Sequence, residues 1–111
     1  MPLTNVWRPF KDETIELTPK EPGAYELGYR DAVVYIGSSE SSIQSRLRQH
    51  RKRKTFMKVT HFRFRRTSSH EARALEDKLC TEFVKKNGKP PRLQERMPKE
   101  PNSLAKRFLY G

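Results

Sequence analysis

Two tyrosines, an arginine, a histidine and a glutamate are the residues whose types and spacing suit chemistry. Tyr25 and Tyr35 lie in two short apolar runs of GAYELGYRDAVVYIGSS, residues 23–39. Arg46 and His50 follow, four positions apart, in SSESSIQSRLRQHRKRK, and Glu76 stands in the later stretch ALEDKL. A guanidinium is a permanently charged planar fork that matches a phosphate better than a lysine does. A phenol, with an unperturbed pKa near 10, serves as a base at neutral pH only where cationic charge favours the phenolate. An imidazole, with a pKa near 6.5, needs no such help, and the residues alone leave the base open between Tyr25 and His50. Each also has an ordinary reading: hairpin tyrosines fill cores, an arginine among many cations decorates a surface, and a glutamate pairs with a neighbouring arginine.

The elements that must position these residues are legible in outline. Strands are expected at 23–28 and 32–37, joined by a turn at Tyr29, Arg30 and Asp31. If Gly28 pairs with Ala32, Tyr25 falls opposite Tyr35 and both project from one face, an inference that a one-residue slip would undo. Ser41-x-x-Gln44 reads as a capping box for a helix from Ser42 to Arg53, with Ile43 and Leu47 inward and Arg46 and His50 beside that face. Residues 59–67, VTHFRFRRT, alternate as a half-buried third strand. Ser68-x-x-Glu71 caps a second helix that ends at Asn87-Gly88, with Ala72, Leu75, Leu79 and Phe83 as its apolar stripe. Glu76 stands in a file of largely buried positions, where a carboxylate needs a partner. Glu71 is explained by the cap, His61 and His70 read as surface residues, and Cys80 as a small buried one.

Residues 1–21 read as an irregular N-terminal arm pinned to the domain by Trp7, Phe10, Ile15 and Leu17. Residues 22–94 form the domain itself, and 95–111 a basic C-terminal extension. The expected architecture is an α/β (α+β) domain, a small, mainly antiparallel three-stranded sheet flanked by helices.

Composition bounds the partner. The 111 residues carry 24 Lys and Arg against 13 Asp and Glu, a formal charge of +11, so a polyanion is the natural ligand and nucleic acid the leading one. Arg48, Arg51, Lys52, Arg53, Lys54 and Lys58, followed by Arg63, Arg65 and Arg66, suit tracking of a phosphate backbone and carry no base code. No apolar run reaches the length of a membrane span, and the one cysteine excludes an intramolecular disulfide, so a cytoplasmic location is expected.

The ordered set GAY, YIG, SRLRQH, ALEDKL and PPRLQ resembles the GIY-YIG nuclease family, over about residues 22–94. The resemblance implies a divalent-metal-dependent endonuclease that hydrolyses DNA phosphodiester bonds with Mg²⁺ or Mn²⁺; DNA is favoured over RNA by family likeness alone. Tyr25 and Tyr35 match the two motif tyrosines, Arg46 the helical arginine, His50 the histidine that some members carry one turn later, and Glu76 the metal-binding glutamate. Ala24 stands where isoleucine is usual. Gln94 stands where the family has asparagine, keeping the amide on a side chain one methylene longer. The other reading is a weak or inactive binding module that keeps the fold. The sequence leaves oligomeric state, pathway and DNA preference open.

Overall fold

The structure, a computed structural model, describes residues 6–30 and 32–93. In chain order the elements are β1 (Arg8–Pro9), α1 (Asp12–Ile15), β2 (Gly23–Tyr29), β3 (Ala32–Ser39), α2 (Ile43–Arg51), a 3₁₀ turn (Lys54–Phe56), β4 (His61–Arg66) and α3 (Ser69–Asn87). The strands form one antiparallel sheet in the order β1-β4-β2-β3. The sheet thus has four strands rather than three, because Arg8 and Pro9 pair with Phe62 and His61 at the outer edge of β4. Two residues are too few to show a period, and an edge is where a proline is tolerated in a sheet.

The alternation of side chains along β2 sends two sets to opposite faces. Tyr25 and Leu27, with Tyr35 of β3 and Phe62 of β4, pack with Phe10, Ile15 and the inner residues of α2, Ile43 and Leu47. Ala24 and Ile36 face the other way and meet Leu79 and Cys80 of α3. The arm joins the first core through buried Phe10 and Ile15, Phe10 lying edge-on to Phe62 at 6.1 Å. Leu17 takes no part; it is 85% exposed, against the expectation that it pins the arm.

The hairpin register differs from the expected one. Tyr29 pairs with Ala32 across a two-residue turn in which Arg30 has a positive φ of 57°. Carried on regularly, that ladder would set Tyr35 opposite Glu26 and send the two tyrosines to opposite faces. A bulge restores the parity: Gly28 pairs with Val33 but Leu27 with Tyr35, leaving Val34 as the extra residue. Tyr25 is therefore opposite Gly37 rather than Tyr35, and the tyrosines are diagonal neighbours on one face.

Ser42, not Ser41, caps α2, its hydroxyl accepting from the Ser45 amide at 3.2 Å. Gln44 leaves the box and donates to the carbonyls of Glu16 and Thr18 at 3.1 and 3.0 Å, tying α2 to the segment after α1. The helix stops at Arg51, two residues short of the expected Arg53. For α3, the Ser68 cap and the left-handed Gly88 at φ 80° match the expectation. No helix among the described residues is long and apolar enough to cross a membrane.

Candidate active site

Gly37 lets the site close. A Cβ built there would lie 2.5 Å from the Tyr25 hydroxyl oxygen and 2.6 Å from its Cζ, so the phenol crosses β3 only because that position lacks a side chain. Gly23 answers a second crowding, since a Cβ there would run into the Arg65 carbonyl and come within 2.6 Å of Ile43. The glycines flanking the hairpin thus let β2 sit close under α2 and let Tyr25 lie across its neighbour strand. The Tyr25 and Tyr35 rings are then stacked, 6.5 Å apart at 27°.

From α2, His50 reaches the same spot. Its Nε2 is 2.6 Å from the Tyr25 hydroxyl, and its ring lies 5.0 Å from that of Tyr35. Phe56 from the 3₁₀ turn closes the back, edge-on to His50 at 4.6 Å and to Tyr35 at 5.1 Å. Arg46, one turn before His50 on the solvent side, also hydrogen-bonds Tyr25. A guanidinium can only donate, so the Tyr25 oxygen accepts from Arg46, and the tautomer that keeps the phenol proton hydrogen-bonded is the one in which it goes to His50 Nε2. The imidazole proton is then on Nδ1, which is buried and has no hydrogen-bond partner among the described residues.

Burial dominates the electrostatics. It pushes the Tyr25 hydroxyl far above the ordinary phenol value, reinforced by Tyr35 and opposed by Arg46. Tyr35 is pushed up to about 12 by burial and then by Glu76. His50 is driven down to about 3, again by burial first and then by Arg46 and Arg53. For Arg46 burial acts downward, but Tyr25, Tyr35 and Glu76 outweigh it and the net shift is upward. The resting site is a neutral phenol bonded to a neutral imidazole beside a fixed cation.

Glu76 approaches from α3, on the far face of the sheet, past edge strand β3, where Ser38 Oγ donates to its Oε1 at 2.5 Å. Burial holds the carboxyl above its ordinary value, opposed by Ser38 and Arg73. A carboxyl in that condition is one whose ionised form a cation would favour. No group of three His, Cys, Asp or Glu gathers among the described residues. Mg²⁺ nevertheless keeps several waters and completes its shell with substrate oxygens, so a single buried carboxylate fits that ion and not one needing an all-protein cage.

Tyr25, Tyr35, Arg46, His50 and Glu76 therefore lie within one electrostatic neighbourhood spanning the hairpin, α2 and α3. Gln94 lies outside the described residues. Ser38 and Phe56 escaped sequence reasoning: nothing marks Ser38 among the five serines of 38–45, and Phe56 reads as ordinary core. The expected phosphate-tracking residues divide. Arg48 pairs with Glu16, Arg51 with Asp12 at 3.5 Å, Arg63 with Glu26 at 2.7 Å and Arg66 with Glu21 at 3.4 Å. Lys52, Arg53, Lys54 and Lys58 form no ion pair with another described residue, and Arg53 lies over the Phe56 ring.

Comparison with known proteins bears on the fold. No curated protein matches the chain. Among solved structures, the chain is similar to the GIY-YIG N-terminal endonuclease domain of UvrC from Thermotoga maritima bound to its catalytic divalent cation, magnesium. That match has a TM-score of 0.55 at 23% identity and covers 75% of this chain and 98% of that one. A tyrosine-to-phenylalanine variant of the same domain matches at a TM-score of 0.56 and 23% identity over 73% and 90% of the two chains. An asparagine-to-alanine variant matches at 0.55 and 22% over 75% and 97%. The fold is GIY-YIG-like, and a family model matches residues 1–97. The chain belongs to the family described as Domain of unknown function (DUF7508).

Proposed function

We propose that this protein is a divalent-metal-dependent endonuclease that hydrolyses DNA phosphodiester bonds. The observation that carries the reading is the Tyr25 hydroxyl held between Arg46 and His50 Nε2 in a site that Glu76 also faces. A merely structural tyrosine needs one hydrogen-bond partner, and a buried Tyr–His pair beside an arginine is an arrangement for moving a proton near an anion. Similarity to a magnesium-bound endonuclease domain supports it.

Arg46, at the solvent side, would bind the non-bridging oxygens and stabilise the charge that builds on them. Tyr25 would take the proton of the attacking water as its own proton passes to His50 Nε2. That transfer avoids leaving a phenolate in a buried site that strongly disfavours one. The negative charge of a bound phosphodiester favours the imidazolium that results. Tyr35, stacked on Tyr25 and edge-on to His50, would fix both rings. Glu76, oriented by Ser38, would hold the divalent cation, which when bound supplies Lewis-acid stabilisation of the phosphate and the leaving oxygen.

The test is incubation with labelled single-stranded, duplex, nicked and branched DNA, with Mg²⁺ or Mn²⁺ and with chelator. Metal-dependent scission of any form supports the reading. Binding to DNA without scission under every condition overturns it and leaves a nucleic-acid-binding module.

A further inference from the structure

Around the 3₁₀ turn that carries Phe56 lies a cavity of about 390 Å³. Its walls include Tyr29, Val34, Val59 and Leu93, with Lys54, Lys58 and Arg92 among its lining residues. It adjoins the site closely. Val34 precedes Tyr35 in β3, and Thr55 and Met57, which flank Phe56, both line the cavity. Met57 is 76% exposed, a large apolar side chain left at the mouth of an apolar hollow. Lys54, Lys58 and Arg92 form no ion pair with a described residue, whereas four arginines elsewhere on the surface are matched with carboxylates.

An apolar hollow with an aromatic wall and three cations is complementary to a ligand with a flat apolar face and negative charges on either side. A fully paired duplex cannot present that face, because its bases are stacked inside. We infer that this cavity receives one unstacked base of the substrate strand, stacked against Tyr29, while Lys54, Lys58 and Arg92 hold the phosphates on either side of it. The inference rests on the nuclease reading and gives that site a substrate class: DNA carrying an unpaired or single-stranded nucleotide next to the scissile phosphate. The 3₁₀ turn, whose Thr55 lines the cavity and whose Phe56 packs on Tyr35 and His50, would lead the strand that fills the cavity toward the Tyr25–His50 pair.

The experiment measures binding by fluorescence anisotropy of the full chain in chelator, so that no strand is cut. Three probes serve: a perfect duplex, the same duplex with one unpaired nucleotide, and its single strand. Affinity for the two unpaired probes should exceed that for the duplex by roughly tenfold, the scale of one base–aromatic contact. Thr55→Trp, which fills the cavity from its rim, should abolish this preference while keeping duplex affinity within about twofold. Lys58→Glu, at an exposed position, should lower affinity for the unpaired probes most. Equal affinity for all three probes overturns the cavity assignment while leaving nucleic-acid binding intact. A preference that survives both Thr55→Trp and Lys58→Glu also overturns it, the cavity then serving the chain itself or another partner. Failure to bind any probe overturns this inference together with the nuclease reading.

Discussion

At the scale of single residues, the Tyr25–His50 bond makes two separable predictions. Tyr25→Phe removes the proton carrier and should slow DNA cleavage by roughly 10²-fold or more. It also leaves Nε2 of a buried imidazole without its partner, so stability should fall by about 1–3 kcal/mol, read from urea unfolding. A variant of unchanged activity would remove Tyr25 from the chemistry. The second prediction concerns pH. Native His50 is driven down to about 3, so between the unfolded value near 6.5 and that figure the unfolded chain takes up a proton that the native chain refuses. Stability from this residue is fully present above that window and is lost as pH falls through it, by up to about 1.4 kcal/mol per pH unit. Glu76, shifted upward, acts in the opposite sense, but it does so equally in a His50→Gln variant. From pH 7 to 4 the native chain should therefore lose more stability than His50→Gln, and parallel losses would contradict the burial argument. That Tyr25 and His50 form one pair could not be read in the sequence. Spacing places each on an element, whereas the hydrogen bond depends on how α2 packs across the hairpin.

At the scale of elements, the hairpin's geometry turns on Gly37 and the bulge at Val34. Gly37→Ala would force a methyl into the Tyr25 ring, which is wholly buried. The expected cost is about 1–3 kcal/mol of stability, with a fall in activity larger than the folded fraction explains. A melting temperature equal to that of the native chain would show that the ring can move. The sequence did reveal that the tyrosines share a face, yet the register behind that expectation was different. A shorter turn and an extra residue each shift the ladder by one, and the two shifts add to an even number that returns both tyrosines to one face with Tyr25 opposite Gly37. Val34 looks like any β-branched strand residue, so nothing local announces the bulge. The α2 cap shows the same limit: among the serines of SSESS several qualify, and the choice falls to Ser42 because Gln44 is engaged by carbonyls far away in sequence. The long amphipathic α3, whose cap and stop are both local signals, was legible from end to end.

At the scale of the whole molecule, the charge of +11 is unevenly neutralised. Arg48 and Arg66 are occupied by Glu16 and Glu21, while Arg53 and Lys58 flank the 3₁₀ turn beside the candidate site without a carboxylate partner among the described residues. Composition predicts an anion-binding surface, and only tertiary contacts show which cations are spoken for. Binding to DNA should weaken with salt, and Arg53→Glu combined with Lys58→Glu should flatten the log–log slope by about 2, roughly one per lost phosphate contact. Arg48→Glu with Arg66→Glu should change it less; the reverse order would put the DNA on another face.

The central claim, that this fold holds a working nuclease site, is tested most directly by comparing the native chain with Glu76→Gln in cleavage and binding assays at matched Mg²⁺. Metal-dependent cleavage is expected from the native chain and a loss of at least about 10²-fold in Glu76→Gln, with DNA affinity within a few-fold because little of the positive charge has changed. Cleavage by Glu76→Gln at the native rate under limiting metal, or no cleavage of any DNA form by the native chain with Mg²⁺ or Mn²⁺, would contradict it.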